Sequence, residues 1–232
     1  PQVWDSYVDG LNADLMCLKR DRRMRRDVDL ATSGQTGIEC FDAWVQELVD
    51  TGYLHNHARM WFASIWIFTL SLPWRLGADF FFRHLLDGDA AANTLGWRWV
   101  AGLHTRGKPY PARPQNIEMF TGGRFAPRHH DLAEVTQGLE ATEPDGLPTI
   151  MPIRDIFAPR SGVPTALLIT DEDCHLEDFY LSNLNICSVG TLTGSHLRSP
   201  LSVSDDVHAF EVGALADAAK RQNFTPVCLS LI

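Results

Sequence analysis

The chain has 232 residues, 45% of them hydrophobic and 21% charged, with a formal net charge of −9. That length holds one sizeable domain, or one domain with a smaller appendage, in a composition ordinary for a globular protein. The longest uncharged apolar run, Met60 to Trp74, falls short of the ~20 residues that a bilayer-spanning helix needs.

Five scattered cysteines without a Cys-x-x-Cys pair point away from a disulfide scaffold or a zinc site. They point towards a reduced, cytoplasmic protein. The opening Pro1-Gln2-Val3-Trp4 has no initiator Met and no signal-peptide architecture, so the chain is expected to begin at a fragment boundary. Charge is divided unevenly: residues 1–130 carry 15 Lys/Arg against 14 Asp/Glu, and residues 131–232 carry 5 against 15. Acidity therefore argues against nucleic-acid binding only in the C-terminal part. Lys19, Arg20, Arg22, Arg23, Arg25 and Arg26 crowd into eight positions. Such a run is a solvated face or a phosphate-contacting patch.

Further along, Phe41, Trp44, Val45, Leu48 and Val49 recur at helical spacing and predict an amphipathic helix, capped near Gly52. From Arg59 to about Leu70 nearly every position is apolar. That predicts a helix buried on all sides, ended by Pro73. Ala78, Phe81, Phe82, Leu85 and Leu86 form another amphipathic stretch closed by Gly88, and Asp89 to Val100 reads as a further helix or helix-loop. The character changes after Phe125. Five prolines between 126 and 162 and a Glu143-Pro144-Asp145-Gly146 turn predict a connector. Strands are expected at Thr165–Thr170, Ser188–Thr193 and Val227–Ile232, with a helix at Val207–Arg221 turning Phe210, Ala214, Leu215 and Ala218 inward. The expected domains are a helical one over 1–125, the connector over 126–162 and a small, incomplete α/β segment over 163–232.

Chemistry-bearing residues concentrate in Thr36–Trp99. Asn56 and Arg59 stand three apart at the entrance to the all-apolar helix. Asp87 and Asp89 flank a glycine, and Asn93 lies one helical turn beyond Asp89. Charged residues are almost never fully buried unless paired. An Arg–carboxylate pair in a tryptophan-lined place is either a structural salt bridge between helices or part of a binding site.

The string from Thr36-Gly37 through Gly52-Tyr53-Leu54-His55-Asn56-His57-Ala58-Arg59-Met60 to Asp87-Gly88-Asp89-Ala90-Ala91-Ala92-Asn93-Thr94-Leu95-Gly96-Trp97-Arg98-Trp99 resembles the flavin-binding core of the DNA photolyase/cryptochrome family, in residue types and in intervals. The resemblance implies a mainly α fold, a helical bundle of the FAD-binding type, followed here by a short α/β segment. It implies FAD as cofactor and DNA carrying a pyrimidine dimer as substrate. Arg59 and Asp87 then look like the ion pair beside the flavin ring, expected to be paired across facing elements. Asp89 looks like the carboxylate near the ribityl and ring edge, and Asn93 like the residue facing flavin N5. Asn56 and Met60 look like groups reaching the pocket for the damaged bases, and Trp99 like a stacking wall for them. Trp97 and Trp74 look like the proximal and middle members of an electron-transfer chain to FAD. Trp44, Trp61 and Trp66 read as plain core.

Two departures qualify the match. At the family's spacing the distal tryptophan of that chain falls near Asp21, so its surface end is lost or rerouted. The family's upstream FAD-phosphate-gripping segment is absent, so this stretch alone is expected to hold FAD weakly and to be inactive. The function implied is a deoxyribodipyrimidine photo-lyase-like, light-driven DNA repair enzyme. The alternatives are a cryptochrome-like blue-light photoreceptor and a flavin-free remnant of the fold.

Overall fold

The structure, a computed structural model, describes residues 2–105, 107–135, 137–139, 152, 155, 160–171, 173–178, 181–194, 198–221 and 227–230. The chain divides into two compact units, Pro1–Gly146 and Leu147–Ile232, each with its own apolar core.

Among its described residues the first unit contains helices and no strand: α1 (Gln2–Arg20), α2 (Arg22–Thr32), α3 (Glu39–Thr51), α4 (Asn56–Ser64), α5 (Trp74–His84), α6 (Ala90–Val100) and α7 (Pro114–Phe120). Local chemistry fixes the joints. The Asp21 carboxylate accepts from the backbone N–H groups of Arg23 and Met24 and starts α2, a cap worth ~1 kcal/mol. Asp42, in the first turn of α3, accepts from the N–H groups of Thr36 and Gly37 and from the Thr36 hydroxyl. The Thr36-Gly37 pair thus ties the preceding loop to α3. Gly52 ends α3 in the left-handed conformation, φ 65°, and a Cβ there would lie 2.5 Å from Leu86.

The apolar stretch at 60–70 sits at the centre. Trp61 to Ile67 are all buried, and Trp66 is fully inaccessible. It is not one regular helix: α4 runs on as a π-helical turn, Ile65–Thr69, closed by Leu70 N–H donating to the Ile65 carbonyl at 2.9 Å. The helix stops there, four residues before the proline expected to end it. Ser71 turns the chain with φ 54°, and Pro73 stands instead as the N-cap of α5. The Trp66 indole N–H donates to the Pro73 carbonyl at 2.9 Å and fastens this turn to the core.

Residues 126–135 and 137–139 are irregular, yet Leu132 is part of the core and the N–H of Leu139 bonds to the Ala101 carbonyl. The expected Glu143-Pro144-Asp145-Gly146 turn, with Pro148 and Pro159, lies outside the described residues.

The second unit has a three-stranded sheet, β1 (Pro164–Thr170), β2 (Asn185–Thr193) and β3 (Val227–Ser230), in that order with every pairing parallel. Parallel neighbours need crossover connections, and α8 (Asp205–Arg221) supplies the second of them. The expected strands and helix are all present, with residues 231–232 of the last strand outside the described set. One inward assignment is corrected. Phe210 is 55% exposed, and the inward stripe of α8 is Val207, Glu211, Leu215 and Ala218. Phe210 lies one residue, about 100° of helix, off that stripe. Among the described residues no helix is long and apolar enough to cross a membrane.

Candidate functional site

Two helices present matching stripes to one concavity. On α4, Asn56, Arg59, Met60 and Ala63 follow at i, i+3, i+4 and i+7. On α6, Asn93, Gly96, Trp97 and Val100 do the same. Phe81 and Leu85 close the floor, and the Asp87-Gly88-Asp89 turn forms one rim. The pocket measures about 320 Å³, within the range of small-molecule sites.

The rim is held by charge. Arg59 donates through Nη2 to both oxygens of Asp87, at 3.0 and 2.9 Å, and through Nε to the Leu54 carbonyl at 2.7 Å. Its guanidinium also lies over the Tyr53 ring, 5.5 Å from the centroid. The expected ion pair is therefore formed, but it is not buried: the Asp87 side chain is 56% exposed. Asp89 caps α6, accepting from the Ala92 N–H at 2.6 Å. A carboxylate there also complements the helix dipole.

Asn93 is oriented from below. Its Nδ2 donates to the Ala78 carbonyl on α5 at 2.8 Å. A carbonyl can only accept, so the amide nitrogen must face it, and Oδ1 remains as an acceptor beside the second N–H. Trp97 is 3% exposed, with its ring edge-on to Phe62, Trp66 and Phe81. Its buried Nε1 has no hydrogen-bond partner among the described residues. Trp99 is 39% exposed and backed by Tyr110 at 5.1 Å. Gly96 precedes both tryptophans on α6, and a Cβ added to it would meet nothing within 4 Å. A helix-interior glycine costs ~1 kcal/mol relative to alanine; this one keeps open space over the pocket.

Of the residues singled out from sequence, Asn56, Arg59, Met60, Asp87, Asp89, Asn93, Trp97 and Trp99 all line this pocket. Trp74 does not. It is buried in the first turn of α5, against Tyr7 at 5.8 Å. Sequence reasoning gave no role to Gly96, Tyr53 or the Ala78 carbonyl. The glycine inside a helix was a usable signal, and the carbonyl left none.

The donor set suits a flat heteroaromatic ring with an imide edge. Such an edge alternates acceptor, donor and acceptor, and the rim offers a guanidinium, two carboxylates and two amides within one concavity. The empty space over Gly96 fits a ligand laid between α4 and α6.

The residues of this pocket fall within the stretch that known proteins match. Residues 10–124 match a family model described as the FAD binding domain of DNA photolyase. The chain is 44% identical over 77 residues to a deoxyribodipyrimidine photo-lyase of Salmonella typhimurium, a match covering 33% of this chain and 16% of that protein. It is 44% identical over 93 residues to one from Streptomyces griseus, covering 39% and 20%, and 43% identical over 77 residues to one from Escherichia coli K12, covering 33% and 16%. The chain thus spans a fifth or less of the length of these relatives.

Proposed function

Residues 10–124 belong to the FAD-binding-domain family of DNA photolyases, and on that premise we propose that this protein is a light-dependent flavoenzyme that splits pyrimidine dimers in DNA. The observation that carries the proposal is the Asn93 amide in the pocket lining, held through its nitrogen by the Ala78 carbonyl so that its oxygen remains as an acceptor. Bound there, FAD in its reduced form would supply, on excitation, the electron that opens the dimer.

The chain's own residues bind, orient and bias. Asn93 Oδ1 can accept from a ring N–H, which flavin N5 carries only when reduced, so the amide favours the reduced state. Arg59 and Asp87 would hold one ring edge between opposite charges, and Asp89 would face the ribityl chain. Trp97 would give the ring an apolar wall. Trp99, exposed and braced by Tyr110, is placed to stack on a flipped base beside Asn56 and Met60, with such stacking worth ~1–3 kcal/mol per base. A damaged base costs less to unstack than an intact one, which supplies part of the selectivity. The protein positions and polarises while the cofactor carries the chemistry.

The test is Asn93→Ala in the full-length protein. The reduced flavin is expected to reoxidise faster in air, and dimer repair under blue light to fall. Unchanged reoxidation and unchanged repair would show that Asn93 does not face N5. A second reading, a cryptochrome-like photoreceptor on the same scaffold, is favoured by Asp21 standing where the resemblance expects the outer tryptophan. Under that reading the illuminated protein changes its flavin state but leaves dimers intact.

A further inference from the structure

Asp21, where the outer tryptophan of the family's path is expected, is occupied as a helix cap, bonding the N–H groups of Arg23 and Met24 at 2.8 and 3.1 Å. The aromatic contacts leave the pocket in another direction. Trp97 lies hard against α5 at Gly77, where an added Cβ would come within 2.3 Å of its ring. Trp74 stands one helical turn earlier on that helix. Trp74 meets Tyr7 of α1 at 5.8 Å, and Tyr7 stacks on Trp4 at 5.1 Å with 30° between the rings. Trp74 and Tyr7 are each 5% exposed, whereas Trp4 is only partly buried. Oxidisable rings therefore run from α5, which Trp97 packs against at Gly77, to the surface.

We propose that Tyr7 and Trp4 form the outward end of an electron path that runs from solvent through Trp74 to Trp97 at the pocket. The proposal rests on the flavin reading of the pocket. When bound oxidised flavin is excited, one electron leaves Trp97 for it. An electron from Trp74 refills Trp97, and one from Trp4, carried across the Tyr7 ring, refills Trp74. The vacancy comes to rest on Trp4, which releases its indole N–H proton to water. A soluble thiol then returns a hydrogen atom, electron and proton together, and becomes a thiyl radical.

The phenylalanines beside this route do not divert it: Phe82, edge-on to Trp4 at 6.1 Å, and Phe62 and Phe80 around Trp66 are far harder to oxidise than indole or phenol. Trp66 is itself fully buried, with its N–H engaged by Pro73. Tyr7 serves as a bridge that keeps its proton. Burial, and then the negative charge of Asp79, raises the phenol pKa, with Asp14 adding to and Arg75 and Arg83 opposing that effect.

The experiment is flash photolysis of the full-length protein with oxidised FAD, preceded by its absorption spectrum. Absence of flavin bands would overturn the pocket reading itself. With flavin bound, a long-lived neutral tryptophan radical is expected, decaying faster as a soluble thiol is added. Trp4→Phe keeps the ring stack on Tyr7 and should lose that long-lived radical while the early signal from the inner tryptophans persists. An unchanged radical lifetime in Trp4→Phe would overturn the path and leave the flavin site standing. Should that variant not fold, the wild-type thiol dependence decides, because a radical stranded on buried Trp74 would not respond to thiol.

Discussion

Asp87 holds Arg59 by two hydrogen bonds and still faces water over more than half of its side chain. Removing a partner from a buried pair costs ~3–5 kcal/mol because a charge is stranded, but an exposed pair contributes ~0–1 kcal/mol. Asp87→Ala is therefore expected to lower stability by less than ~1 kcal/mol, since the freed guanidinium keeps the Leu54 carbonyl and reaches solvent. Its larger effect should fall on flavin affinity. An unfolding free energy lowered by ~3–5 kcal/mol in denaturant titration would show that the pair is sealed from water after all. The sequence made this pair legible as a pair, through its spacing and its family motif. It did not reveal the exposure, because the Asp87-Gly88-Asp89 turn projects the carboxylate to the rim while α4 carries the arginine beneath it.

Helices α5 and α6 approach closely because residue 77 is glycine. An alanine Cβ would meet the Trp97 ring at 2.3 Å and Trp66 at 2.9 Å, both rings being buried. Gly77→Ala gains up to ~1 kcal/mol in helix propensity and loses ~1–3 kcal/mol to overpacking. Net destabilisation is expected in equilibrium unfolding, and a stabilised variant would mean that Trp97 can move aside freely. Most of the elements of either unit could be read from spacing or composition. The α4 and α6 stripes follow the helical period, and the β1 and β2 runs have strand length and composition. Three features could not. The π-helical turn at Ile65–Thr69 arises from tertiary packing around Trp66, and an unbroken apolar run carries no periodicity to reveal it. The inward face of α8 includes Glu211, 2% exposed, so a reading that sends charge outward picks Phe210 wrongly. Helix α2 buries only Val28 and Ala31, too thin a stripe to stand out beside its four arginines.

At the scale of the whole molecule the two units should answer acid in opposite senses. In the first, burial and then the charge of Arg83 lower His84 from 6.5 to about 4. Its neutral form is favoured by the fold, so its contribution is present above pH 6.5 and is lost as pH falls toward 4. In the second, burial and then the hydrogen bond with Glu211 raise Asp171 from 3.8 to about 6. Its protonated form is favoured by the fold, so its contribution is present below pH 3.8 and is lost as pH rises through 6. Amide exchange followed from pH 6.5 toward 4 should show α5 losing protection while β1 gains it; β1 losing protection over that range would contradict the carboxyl assignment. The central claim is that the concavity between α4 and α6 receives the flavin ring, and Gly96 gives the most direct access to it. A tryptophan at 96 has open space on its own side, so the fold should tolerate it while the pocket is filled. Fluorescence titration of the full-length protein with FAD is expected to show binding in the wild type and its loss in Gly96→Trp, with the melting temperature unchanged. Undiminished FAD binding by a folded Gly96→Trp variant would contradict the account.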